Sequence, residues 1–307
     1  MATRQTGTLL LAAALVLLAG LVSPPAIAQG VSGLPPSFTP TLPERMLSGP
    51  SGSEFARRIA SVQGAEREEA IKAEITRGNI PDFLRHLKPV RLSRTLANGL
   101  VLTATVFVMP DYLAIGSDED FFLVPMTLQT ALTVAAKFGF VLPTRTVVDA
   151  IFAQSAVHLT PQPMPAGPQM RSTEYYLRHN QTIAQQRASL GIVLGSLIAG
   201  HKKDLVVTGR LLRDASRLAI YGWHRPTGVP IQPLSTVHGS AYVDYSHGVR
   251  LVSETVLIEG SPRSFYEVLS DPRLCQLLSD EGTMAGARQI FGAPPSQAAA
   301  SSRIAGY

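Results

Sequence analysis

Apolar positions along this chain recur at two spacings, and the switches between them mark out its elements. Between 53 and 76, Ala, Ile and Val fall three and four residues apart among Arg and Glu, with Ser53 in front and "RGN" behind. That is the helical period with a start and a stop signal, so one helix is predicted. "IPDFLRHLKPV" predicts a short helix between two prolines. The runs "VRLSRTL", "GLVLTATVFVMP", "DYLAIG" and "FFLVPM" are β-branched and aromatic, separated by Asn98-Gly99, Pro110-Asp111 and the acidic "SDED". They predict antiparallel hairpins.

The helical period returns after Thr127 and again after Thr144, both placed as N-caps, with Pro143 as the join. A proline-rich loop over 160–169 precedes another helix that opens at Ser172. "DLVVTGRLL", "RLAIYGWHR" and "AYVDYSHGVRLVSETVLIEG" read as strands, and "PRSFYEVLSD" and "PRLCQLLSD" as helices. Mixed runs of strands and helices without regular alternation predict an α+β fold, a mainly antiparallel sheet with packed helices in a single domain.

The ends of the chain follow a different pattern. Arg4, the apolar run Leu9–Val22 and the small residues Ala26 and Ala28 predict a signal peptide over 1–28, cut before Gln29. A run this short does not span a bilayer, so no transmembrane anchor is expected after cleavage. Residues 29–52, rich in Pro, Gly and Ser, read as a tether, 53–283 as the domain and 284–307 as a flexible tail. The expected location is the periplasm or the medium.

Composition refines this picture at three points. With 45% hydrophobic and 16% charged residues the chain is too apolar for disorder. Its net charge of +5 is spread out, with no block of Lys and Arg. Nucleic acid is therefore not an expected partner, whereas weak attraction to an envelope or extracellular polymer is. The single cysteine, Cys275, allows no intrachain disulfide and no thiolate metal cluster. Among Leu274, Leu277 and Leu278 it reads as a buried small hydrophobe.

Candidate chemistry gathers in the last third. In "AYVDYSHGVRL" strand alternation would put Tyr242, Asp244, Ser246 and Arg250 on one face and Tyr245 and His247 on the other, towards the core. "GHKKDLVV" supplies His201, Lys202, Lys203 and Asp204, and "YGWHRP" supplies Trp223 and His224. Both clusters sit at strand ends, where a scaffold meets a loop. The expectation is one cleft in which Asp244 and Ser246 face His224, His238 and Lys203.

In that cleft His224 or His238 is the general base, Asp244 or Asp204 orients it, Ser246 is a candidate nucleophile, and Lys203 or Arg250 stabilises an oxyanion. Trp223, Tyr242, Arg250, Asp204 and His201 are candidate substrate-binding residues. A zinc ion held by His224, His238 and His247 is the alternative source of a nucleophile. No Gly-x-Ser-x-Gly elbow, His-Glu-x-x-His helix, Walker loop or dinucleotide fingerprint occurs. "HKKD" departs from the phospholipase-D-like signature, with Thr208 where an aspartate would stand. Asp118, Glu119 and Asp120 read as a solvated turn, and the Tyr175, Tyr176, His179 stripe as packing.

The segments "GNIPDFLRHLKPV", "VMPDYLAIGSDEDFFLVPMT", "GHKKDLVV", "YGWHRPTGVPIQPL" and "YVDYSHGVRLV" together resemble a family of exported bacterial proteins of unassigned function. The resemblance covers most of residues 78 to 282 and implies one domain, but no catalytic residue or substrate. The function expected from the residues is an exported hydrolase of an envelope or extracellular polymer. Its alternative is a periplasmic or secreted binding or envelope-assembly protein.

Overall fold

Strand β2 (Val101–Val108) organises the larger sheet. Leu102, Ala104 and Val106 alternate inward, and the last three residues are all buried because neighbours cover both faces. On one side β2 pairs antiparallel with β1 (Lys88–Thr95), the two joined through the turn at Asn98-Gly99, where Gly99 has φ +81°. On the other side lie β12 (Val252–Ser253) and β13 (Thr255–Ile258). β5 (Phe140–Val141) continues the sheet beyond β12, and β14 (Ser261–Ser264) beyond β13.

A second sheet runs in the order β10 (Pro230–Ser235), β9 (Ile220–His224), β8 (Lys203–Leu205), β11 (His247–Gly248). Its β8–β11 pair is parallel and its other pairs antiparallel. Two small ladders complete the strands: antiparallel β3 (Ala114–Gly116) with β4 (Phe121–Leu123), and parallel β6 (Val157–His158) with β7 (Ile198–Ala199). The fold is α+β with mainly antiparallel sheets, as the sequence pattern predicts.

This is a computed structural model, and it describes Met1, Ala2 and residues 42–292. The signal peptide, the cut at Gln29 and most of the tether fall outside the described residues, as does the tail beyond 292. Residues 42–51 pack on the domain: Arg45 donates to Asn79 and to the Gly49 carbonyl, and Pro50 is buried. Met284, Ala287 and Phe291 are buried too, so the folded chain reaches past 283. No helix among the described residues is long and apolar enough to cross a membrane.

Helices α3 (Leu128–Lys137), α4 (Arg145–Gln154) and α5 (Thr173–Ser189) start at the caps read from sequence, Thr127, Thr144 and Ser172. Three predictions need correction. The single helix over 53–76 is two, α1 (Gly52–Arg58) and α2 (Gly64–Thr76). Ser51, with Glu54 in a capping box, starts the first, and Gly64 at φ +57° starts the second. "DLVVTGRLL" is strand only to Leu205, because the Thr208 hydroxyl caps α6 (Gly209–Arg213).

The third correction matters most for the site. "AYVDYSHGVRLVSETVLIEG" is not one strand but β11, β12 and β13, with residues 242–246 folded as irregular chain. The alternation argument for Tyr242 to Ser246 therefore loses its basis. The short helices α7 (Phe265–Ser270) and α8 (Cys275–Leu278) follow β14, with Cys275 buried in α8 as expected.

Candidate functional site

Asp244 is held by its own loop. One carboxylate oxygen accepts from the Ser246 backbone N–H at 2.8 Å and the Ser246 hydroxyl at 2.6 Å. The other accepts from the Tyr242 hydroxyl at 2.9 Å. The His247 N–H donates to the Asp244 carbonyl at 3.2 Å, closing a turn that delivers His247 into β11. Such a side-chain-to-backbone turn competes with a ladder, which is why no strand forms here. It also brings His247 Nε2 to 3.8 Å from Asp244 Oδ2.

The second sheet presents a row of aligned positions, Gly222 in β9, Lys203 in β8 and His247 in β11. Although a side chain at Gly222 would meet Asp204 and His224 on the far side, Lys203 and His247 share the near face. Trp223 joins Lys203 there: Lys203 Nζ lies 5.1 Å from the centre of the indole ring. The backbone makes this contact at a cost, since Gly222 has φ +103° and Trp223 φ +53°. A bulky residue in that region costs on the order of 1–3 kcal/mol, and such strain gathers at functional sites.

Around this row, His238 stacks on Tyr242 with ring centres 4.0 Å apart, and the Arg171 guanidinium lies 5.7 Å from the Tyr242 ring. His179, from α5, contacts Tyr245 at 5.0 Å and Trp223 at 6.4 Å. Lys202 Nζ donates to the Tyr245 carbonyl at 2.6 Å. Among the described residues, both ring nitrogens of His247, both of His179, and Trp223 Nε1 are buried without a well-formed hydrogen bond. Native proteins leave few such groups, so five on three adjoining side chains call for a reason.

The electrostatics follow from burial with one acid among several bases. Burial pushes His247 down to about 4; Asp244 opposes this, and Lys203, His238 and Lys202 add to it. Burial, with Lys202 and His201 nearby, takes His179 to about 2, only slightly offset by the Gln162 backbone. Lys202 falls to about 7, again through burial, with Asp244 opposing. Burial also lowers Lys203. For Asp244 burial acts upward, but His247, the Ser246 hydrogen bonds and Lys203 outweigh it and keep the group below the usual range. The result is an ionised carboxylate beside neutral imidazoles.

His224 belongs to a different cluster. Its Nε2 sits 3.0 Å from Asp149 Oδ1, which also accepts from the Tyr221 hydroxyl at 2.8 Å. Its ring stacks on Phe152 at 4.6 Å. Asp204, next along from Lys203 and so on the opposite face of β8, accepts from the Tyr112 hydroxyl at 2.8 Å. Burial raises Asp204 to about 6, against Arg250, Tyr112 and His224. Two surface hollows of about 430 and 450 Å³ meet at Asp149.

The single expected cleft is therefore two sites. Asp244, Ser246, His238 and Lys203 come together, along with Trp223 and Tyr242; His224 does not join them, because it pairs with Asp149. His247 is buried, as expected, but faces Asp244 and Tyr242 rather than an apolar core, because the loop at 242–246 breaks the alternation. The Ser246 hydroxyl is fully buried and committed to Asp244, a turn-locking arrangement rather than that of an open nucleophile. The three proposed zinc ligands do not converge, and no cluster of three His, Cys, Asp or Glu set to hold a metal occurs among the described residues.

Three substrate-binding candidates are buried structural groups. Arg250 donates to the Met109 and Ile198 carbonyls at 2.9 and 2.8 Å and lies over the Tyr112 ring. Asp204 serves Tyr112. His201 meets Asp111 at 3.0 Å, and the same carboxylate holds Arg187. Sequence reasoning missed Asp149 as a site neighbour, read His179 and Tyr245 as packing, and named Lys202 without giving it a role. Lys202 was visible beside Lys203, while His179 and Asp149 lie on helices far away in sequence and gave no local signal. The acidic turn at 118–120 is structural: Asp118 accepts from the Phe83 N–H and Asp120 from Ser53.

The chain matches no protein-family model, no curated protein and no solved structure.

Proposed function

We propose that the protein is an exported hydrolase acting on a cell-envelope or extracellular polymer, with its chemistry at Asp244, His247 and Lys203. The observation that supports this reading is His247, a buried neutral imidazole with Asp244 at 3.8 Å from Nε2 and no hydrogen bond at Nδ1. With the Nε2 proton directed at Asp244, the Nδ1 lone pair accepts a proton from water, whose oxygen then attacks the scissile bond. Base–carboxylate contacts are often long before substrate binds and tighten in the complex. Lys203 stabilises the negative charge that develops, and His238 protonates the leaving group. The Tyr242 ring packs edge-on against His247 at 5.7 Å, with His238 stacked on Tyr242.

Water takes the nucleophile's role because Ser246 is locked in its turn. The test is turnover by the purified full chain on a panel of cell-wall, polysaccharide, peptide and ester substrates. His247→Gln and Asp244→Asn lower turnover by about 10²- to 10⁴-fold, the usual contribution of general acid–base catalysis, with near-native folding. Unchanged turnover in either folded variant defeats this assignment. N-terminal sequencing of the exported chain gives Gln29 if the leader is cut where its small residues indicate.

The second reading, a periplasmic or secreted binding or envelope-assembly protein, is favoured by the open hollows at Asp149. Specific polymer binding with no turnover across the panel selects it.

A further inference from the structure

Among the groups left unsatisfied around Lys203, donors outnumber acceptors. Trp223 Nε1 and Lys203 Nζ are donors without acceptors. Among the described residues, Lys203 Nζ makes no hydrogen bond or ion pair, only its contact with the indole face. Neutral His179 adds one N–H and one lone pair, His247 directs its N–H at Asp244, and Lys202 lies just behind with its ammonium on the Tyr245 carbonyl. Arg171 stands at the outer edge over Tyr242. The single carboxylate, Asp244, is already occupied by three donors from Ser246 and Tyr242.

Burying unpaired donors costs free energy until an acceptor arrives, and a cationic lining favours an acceptor that carries charge. A neutral hydroxyl meets this demand poorly, because it brings a proton of its own. The half-buried Tyr242 adds an aromatic ring at the rim, flanked by His238 and Arg171, beside which a sugar ring can pack.

We infer that this site binds an anionic polysaccharide, seating the carboxylate or phosphate of one residue against Lys203 and Trp223 Nε1. The inference rests on the proposed hydrolase reading and names its class of substrate. The anion then helps to place the chain for cleavage, with Arg171 meeting the next charge along the polymer.

The experiment needs no turnover. Trp223 is the only tryptophan in the chain, so its fluorescence reports this site alone. The full chain is titrated at fixed ionic strength with polygalacturonate, with the same polymer fully methyl-esterified, and with inorganic phosphate. A saturable change with polygalacturonate or phosphate, and none with the methyl ester, is expected; which anion acts tells carboxylate from phosphate. Lys203→Gln weakens the response at least tenfold, while Lys72→Gln, a surface charge on α2, leaves it unchanged.

Circular dichroism checks folding, and should Lys203→Gln not fold, Arg171→Gln gives the same reading from the edge. Equal binding of the methyl ester, or no response to any anion by the folded chain, overturns the inference. Turnover of a polymer without anion binding removes the anion seat and keeps the hydrolase. Anion binding without any turnover keeps the seat and removes the hydrolase.

Discussion

At the scale of single residues, the buried bases govern how stability depends on pH. His247 and His179 titrate at about 4 and about 2 in the folded chain, against 6.5 when unfolded. Between those values the unfolded chain holds more protons, so the stability present above 6.5 is lost as pH falls. Asp204 runs the other way: raised from 3.8 to about 6, it holds a proton in the folded chain across that window and returns stability on acidification. From pH 6 to 4 His247 and Asp204 nearly cancel, leaving His179 and His201, which burial beside Arg187 and Arg250 also holds well below its ordinary value, to set a slope of about 2.7 kcal/mol per pH unit. Lys202, near 7, stays charged throughout this range and adds nothing to the slope. Asp204→Asn removes the compensation and should steepen the slope by about half. Urea unfolding at pH 4, 5 and 6 measures it, and an unchanged slope would show that Asp204 is ionised in the folded chain.

At the scale of elements, Arg250 shows where reading by alternation fails. Alternation places it with Asp244 on one strand face, but a break separates β11 from β12, and the side chain turns inward to hold the Met109 and Ile198 carbonyls. Arg250→Met strands both buried acceptors and should cost about 3 kcal/mol or more in a denaturation midpoint experiment. A stable Arg250→Met protein with weakened substrate binding would restore its surface role. The amphipathic helices α3, α4 and α5 and the β1–β2 hairpin were legible because each is specified locally, by period, cap or Asn-Gly turn. The site was legible in part. "YVDYSHG" named Asp244, Tyr242 and Ser246, but the turn that joins Asp244 to His247 depends on a hydrogen-bonding choice that period-two counting does not contain. The conformation of Gly222 and Trp223 is likewise a tertiary decision, since nothing in "YGWHR" demands two positive φ values in succession.

At the scale of the whole molecule, β8 acts as a partition. Lys203 and Asp204 are consecutive, and their opposed side chains commit the two faces of the second sheet to different clusters. On one face are Asp244, His247, Trp223 and Lys203; on the other are Asp204, Tyr112 and the Asp149–His224–Tyr221 group beside the surface hollows. If hydrolysis runs on the first face, residues there act as a unit, and removing a second member costs little once the first has gone. Asp244→Asn combined with His247→Gln should therefore fall far short of the product of the single effects. His224→Ala should leave turnover within a few-fold of the native value. Combined with Asp244→Asn its effect should multiply, because the pair shares no partner. The cycle is measured as kcat/KM for the four variants on whichever polymer is turned over. A strong coupling between His224 and Asp244 would mean that the two faces form one centre, with the proton path crossing the sheet beside Gly222, where Asp204 and His224 both approach the glycine's open side.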